Sequence, residues 1–289
     1  MAAYLLQIEP KLKVEGTGAI EYVQTWGVQG RSEVWVGEQS GKTQDRGEVV
    51  PATDCVVACA SVAPKGNKKY VALTFDEGPS GATKQILQVL KEKGVTATFF
   101  LSGDAAEASP ATAKAIVDAG CEIGSNSYSD DSLKGQDRET VREQITKGTD
   151  AIKSATGVKT MLLRAPYAAF DEQNWIDAMD LVSAVVSWNI DSGDWLLNGA
   201  DEQVSTVLDS VTPGNIVLLT DRDECAEQTL EALPQIIDGL VADGYKIVTL
   251  SDLVKTDTSL SKKLTSLTKV TMPKDAVFPQ LAEDDDTTE

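Results

Sequence analysis

Five short polar clusters hold the side chains in this sequence best suited to chemistry, and each follows a run of apolar residues. They are TFDEGP with Asp76 and Glu77, GSNSYSDDSL with Asn126 and Asp130, LRAPY with Arg164 and Tyr167, DSGDW with Asp191, Asp194 and Trp195, and LLTDRD with Thr220 and Asp221. Carboxylates dominate, so acid and base catalysis is the chemistry they could support, once burial or a neighbouring cation sets their protonation. Histidine is absent from all 289 residues. That removes the side chain that titrates nearest neutrality and serves most often as a metal ligand.

The elements that must position these clusters are legible in the apolar pattern. From Tyr70 onward, short apolar runs alternate with amphipathic stretches: YVALTF then ATKQILQVLKEKG, TATFFL then SPATAKAIVDAG, and CEIG then a long loop and RETVREQITKGTDAIKSATG. TMLLRAP, DEQNWIDAMD, LVSAVVSW, DEQVSTVLDSV, NIVLLT, AEQTLEALPQIIDGLVADG and KIVTL continue the series. About seven β-then-α units predict a mostly parallel sheet curled into a (β/α)-barrel, with functional residues on the C-terminal ends of its strands. Gly94, Gly120, Gly157 and Gly244 fall where helices need left-handed caps. The first 66 residues differ: AIEYVQTW, SEVWV and DCVVACASV are β-formers, separated by turn-like VQGRS and EQSGKTQDRG. They predict a small β-rich N-terminal module over 1–66, a barrel domain over 67–255 and a C-terminal extension over 256–289, with the joint at APKGNKK near Gly66.

Bulk properties narrow the partners. With 45 Asp and Glu against 26 Lys and Arg, the formal charge is -19, which opposes nucleic acid and anionic membranes. Part of that excess forms an acidic tail from Glu283 to Glu289, read as solvated. No apolar stretch has the length of a membrane span, and MAAYLLQIEPKLK lacks the blocks of a secretory signal. Cys55, Cys59, Cys121 and Cys225 match neither a disulfide framework nor a metal knuckle, so buried free thiols are expected.

The five clusters, in this order and each at a strand end, resemble the polysaccharide deacetylase family (NodB-like, carbohydrate esterase family 4) over Lys69 to Leu253. The resemblance implies a distorted or incomplete seven-stranded barrel and the removal of acetyl groups from chitin, peptidoglycan or xylan. It also implies a site in which an Asp and two His hold Zn or a similar ion, a second Asp is the base and a third His is the acid. Carried over by position, Asp76 is the base and Arg164 the cation that orients it. The Tyr167 amide faces the oxyanion, Trp195 walls the site, and Asp191 and Asp194 are retained. The metal positions are Glu77, Asn126 and Asp130, and the acid position is Thr220.

Every family histidine is therefore replaced. Glu77, Asn126 and Asp130 offer only oxygen, so no cofactor is expected, or at most Ca, Mg or Mn rather than Zn. Thr220 barely titrates, and its neighbour Asp221 could act as an acid only with a pKa raised by burial. Bland counterparts stand beside these roles: an Asp76–Arg164 ion pair that holds the barrel mouth, a hydrated polar pocket at Glu77, Asn126 and Asp130, and ordinary packing of Tyr167, Trp188 and Trp195 in place of a sugar-stacking platform. The expected function is that of a deacetylase-like protein of carbohydrate metabolism, catalytically impaired and binding a peptidoglycan- or chitin-like glycan, with no nucleic-acid partner. By resemblance it works outside the cytoplasm, secreted or at the cell surface. The alternatives are an active hydrolase of non-peptide C–N or ester bonds with an oxygen-ligated metal, and a cell-surface protein-interaction module led by the N-terminal part.

Overall fold

The computed structural model describes residues 2–66, 68–264 and 268–281; the acidic tail from Glu283 lies outside the described residues. Six strands come first: β1 (Ala2–Ile8), β2 (Leu12–Gly16), β3 (Ile20–Thr25), β4 (Gly30–Val36), β5 (Thr43–Val50) and β6 (Cys55–Ala60). The remaining strands are β7 (Tyr70–Asp76), β8 (Thr98–Leu101), β9 (Glu122–Ser125), β10 (Leu162–Leu163), β11 (Ala184–Val186), β12 (Ile190–Asp191), β13 (Ile216–Thr220) and β14 (Lys246–Ile247). Between and after them run α1 (Thr83–Lys93), α2 (Gly103–Ala108), α3 (Pro110–Asp118), α4 (Arg138–Thr156), α5 (Glu172–Ala178), α6 (Ala200–Ser210), α7 (Ala226–Ala242), α8 (Leu250–Thr256) and α9 (Leu260–Lys263).

Seven strands pair in parallel in the order β12-β13-β7-β8-β9-β10-β11. The two ends of this path, β11 and β12, are chain neighbours that pair elsewhere, so the barrel is incomplete at that seam. Strands buried on both faces need apolar residues at nearly every position. Accordingly β8 and β13 are buried throughout, and β7 is buried from Val71 to Asp76. Alternation along β7 sends Val71, Leu73 and Phe75 into the layer beneath α1 and α7, where Phe75 stacks on Phe99 with ring centroids 4.9 Å apart. Thr74 and Asp76 therefore share the opposite, interior face.

The helices form where the pattern predicts them. In α4 the Asp137 side chain caps the first turn by accepting from the Thr140 amide, and Gly157 ends the helix at φ 77°, a conformation only glycine adopts without steric cost. The short helix α2 and strands β1 and β2 go beyond the sequence expectation. β5 corrects it: the polar segment read as a turn up to Gly47 is paired to β4 from Thr43.

The N-terminal strands split between two sheets. β3 pairs antiparallel with β11, and β6 and β2 follow, so half of the β-rich segment continues the barrel sheet. β1, β4 and β5 form a separate three-stranded sheet. The C-terminal segment returns to these strands: the Leu12 amide donates to the Gln280 carbonyl at 2.9 Å. All four cysteines are free; Cys55, Cys121 and Cys225 are buried and Cys59 half-buried. Among the described residues no helix is long and apolar enough to cross a membrane.

Candidate functional site

β7, β12 and β13 end in Asp76, Asp191 and Thr220, and these residues with the loops nearby line a cavity of about 330 Å³. Asp76, Glu77, Tyr167, Asp191, Trp195 and Thr220 line it, together with Trp188, Leu218 and Arg222. Five clusters scattered over the sequence are thus drawn to one end of the sheet, as a parallel barrel requires. A second cavity, about 340 Å³, lies by Tyr22, Trp26 and Met179, but no carboxylate lines it.

Arg164 lies beneath the cavity floor and is fully buried. Its Nη1 donates to Asp76 Oδ1 and to Thr74 Oγ1, both at 2.7 Å; Nε donates to the Val186 carbonyl and Nη2 to the Ser187 carbonyl, both at 3.0 Å. Its guanidinium also sits 4.1 Å from the centroid of Phe100. Burying such a charge is tolerable only because its donors are so fully used. Burial pushes the Asp76 carboxyl up to about 6, against the opposing pull of Arg164. Asp194 and Asp191 add to the rise.

At the acid position Thr220 is buried, and its hydroxyl donates to Asp194 Oδ1 at 2.8 Å while its amide donates to Oδ2 at 2.7 Å. Thr229 Oγ1 adds a third bond to the same carboxylate at 3.0 Å. Burial raises the Asp194 pKa, and these bonds oppose the rise. Asp194 itself does not line the cavity. Neither does Asp221: its carboxylate accepts from Ser80 Oγ and Thr83 Oγ1, both at 2.6 Å, and braces the start of α1. Burial raises its pKa, and its carboxylate lies beside α1 rather than in the cavity lining.

The three metal positions do not behave as an open ligand set. Asn126 is buried; its Nδ2 donates to the Arg164 carbonyl at 2.8 Å, and Oδ1 has no partner among the described residues. Glu77, held at φ 74°, pairs with Arg222 Nε. Arg222 Nη2 lies 2.5 Å from Asp130 Oδ2, and the Tyr167 hydroxyl donates to the same oxygen at 2.9 Å. A guanidinium thus takes up two of the three oxygen donors that would face an ion. Among the described residues no cluster of three His, Cys, Asp or Glu side chains is arranged to hold a metal. With Arg222 in place the donor set does not fit a divalent cation. A positive charge a few ångströms from the guanidinium would be repelled by it, and half of the carboxylate charge is already offset.

Arg222 is the residue the sequence reading missed. Its signal was present in LLTDRD: a lone cation at a strand end, in a loop where the other charged residues are carboxylates. Trp195, Tyr167 and Trp188 all line the cavity. Trp195 is 56% exposed and donates Nε1 to both Asp191 oxygens at 3.2 Å; Tyr167 is 69% exposed, and Leu196 and Leu197 extend the apolar edge.

Comparison with known proteins agrees with this architecture. A polysaccharide deacetylase family model matches residues 63–182. The bifunctional xylanase/deacetylase of Pseudobutyrivibrio xylanivorans is 37% identical over 189 residues, 65% of this chain but only 31% of that protein. A peptidoglycan-N-acetylglucosamine deacetylase of Bacillus cereus is 33% identical over 217 residues, covering 74% of this chain and 79% of its own length. The crystal structure of a mutant CE4-family pseudoenzyme with restored enzymatic activity superposes with a TM-score of 0.61 at 28% identity, over 78% of this chain and 87% of that one.

Proposed function

This chain belongs to the polysaccharide deacetylase family, and from that premise we propose that it binds an N-acetylated glycan of the peptidoglycan or chitin class without turning it over efficiently. The observation that carries this reading is the state of Thr220. Cleaving an acetamide requires a proton for the departing amine, and a positioned acid supplies typically 10²–10⁴-fold in rate. Here the group at that position is an aliphatic hydroxyl whose proton is committed to Asp194. Asp76 and Arg164 still form a base with its orienting cation, but deprotonating water without a matching acid leaves the second half of the reaction unassisted.

Binding, unlike turnover, keeps its parts. A sugar ring can lie on the exposed face of Trp195, and Asp76 and Asp191 can accept from its hydroxyls; aromatic faces with a few polar groups are the usual makings of such a site. The chain's negative charge suits a neutral glycan better than an anionic one. The existence of a CE4-family pseudoenzyme of similar fold supports a role without catalysis. The same reading puts the protein outside the cytoplasm, where such glycans occur, and divides the chain at residue 66 and at residue 255. Within that division, the N-terminal strands brace the barrel seam at β11.

The test is a paired assay with purified protein: retention on insoluble peptidoglycan and chitin, and acetate release from chitooligosaccharides. The expected result is saturable retention with acetate at the level of a protein-free control.

A further inference from the structure

We propose that Arg222 is a resident cation that has taken the place of a divalent ion, joining the strand-end loops that an ion would join and keeping that ion out. Glu77 follows β7, Asp130 follows β9, Tyr167 follows β10 and Arg222 follows β13. Arg222 pairs with Glu77 through Nε and with Asp130 through Nη2, and Tyr167 bonds to Asp130. The guanidinium thereby joins three loops directly, and Tyr167 brings in the fourth through Asp130. A guanidinium stays charged at any working pH and presents its donors in a rigid fork, so it bridges two carboxylates and offsets one of their two negative charges without needing an ion from solution.

The second observation is Asn126. Its side chain is 2% exposed and its Oδ1 has no partner among the described residues, an unusual state for a buried acceptor. Arg222 pairs by charge with the carboxylates at the other two positions, with Glu77 Oε2 making no hydrogen bond, and it does not reach this third one. Removing the guanidinium should expose Glu77 and Asp130 beside that free acceptor. Such a set of hard oxygen donors is suited to Ca²⁺ or Mn²⁺ rather than Zn²⁺. The inference is separate from the binding role proposed above: acetate release would overturn that role, whereas ion exclusion is read from metal binding alone.

The experiment compares the wild-type chain with Arg222→Ala and Arg222→Gln, each stripped with chelator and titrated with Mn²⁺, Ca²⁺ and Zn²⁺ by calorimetry, with thermal melts in parallel. The wild type should show no saturable binding up to about millimolar ion and no shift in Tm. Both variants should bind Mn²⁺ or Ca²⁺ on the order of 100-fold more tightly than the wild type. They should melt lower than wild type without the ion and recover with it, and a further Asp130→Asn change should abolish the gain. Wild-type binding as tight as that of the variants would overturn the proposal, as would two folded variants that bind neither ion.

Discussion

Thr220 Oγ1 lies 2.8 Å from Asp194 Oδ1, and its own amide holds the other oxygen of that carboxylate at 2.7 Å. A buried carboxylate is thus tied to the end of β13 by the residue that occupies the acid position. The arrangement satisfies an otherwise costly buried charge and engages the hydroxyl proton of Thr220.

Replacing Thr220 by Val keeps the shape and the amide bond but removes one donor to Asp194. A buried acceptor deprived of a partner costs about 1–3 kcal/mol. Urea unfolding should show a loss of that size, with retention on chitin unchanged. A variant as stable as wild type would mean that the hydroxyl bond contributes nothing.

Arg164 and Asp76 form the most deeply buried ion pair among the described residues, with side chains 0% and 11% exposed. Asp76→Asn leaves a fully buried guanidinium without its counter-charge, a change that costs about 3–5 kcal/mol. The pair Asp76→Asn with Arg164→Met should recover part of that loss in a double-mutant cycle, because no unpaired charge then remains. Simple additivity of the two single changes would show that the pair is not energetically coupled.

Burial raises the pKa values of Asp76, Asp194 and Asp221, the first to about 6. In the unfolded chain aspartate titrates near 3.9, so between about pH 4 and 6 the folded state holds more protons than the unfolded state. Stability must therefore fall as pH rises through that window and level off above it. Melting curves should give a higher Tm at pH 5 than at pH 7; a Tm that climbs over this interval contradicts the assignment.

Trp195 tests the binding surface separately from the fold. More than half of the residue is exposed, so Trp195→Ala should change stability by no more than about 0.5 kcal/mol. It should weaken chitooligosaccharide binding roughly tenfold, the worth of about one stacked ring. Unaltered affinity would place the glycan elsewhere on the molecule.

How much of this was legible in the sequence depends on which kind of signal carried it. Strands such as VALTF and NIVLLT are continuous apolar runs between amphipathic stretches, and that pattern alone predicts buried parallel strands with their polar ends gathered at one rim. Asp76, Glu77, Tyr167, Asp191, Trp195 and Thr220 do meet at one cavity. Sequence neighbours were harder to separate. Thr220 and Asp221 are adjacent, but the pleat sends them to opposite sides, one toward the cavity and the other to Ser80 and Thr83. Arg222 passed unnoticed because its role depends on reaching Glu77 and Asp130, 145 and 92 positions earlier, and no local pattern encodes such a meeting. β5 was read as a turn because its polar residues reflect an exposed sheet, where pairing with β4 comes from backbone bonds rather than burial.

The central claim is that the cavity binds without cleaving, and acetate release tests it most directly. Purified chain at micromolar concentration is incubated with chitopentaose and with peptidoglycan, with and without added Mn²⁺ or Zn²⁺, while binding of the same ligands is followed by calorimetry. Saturable binding with acetate indistinguishable from the protein-free control is the predicted result. Time-dependent acetate release proportional to protein concentration would contradict it.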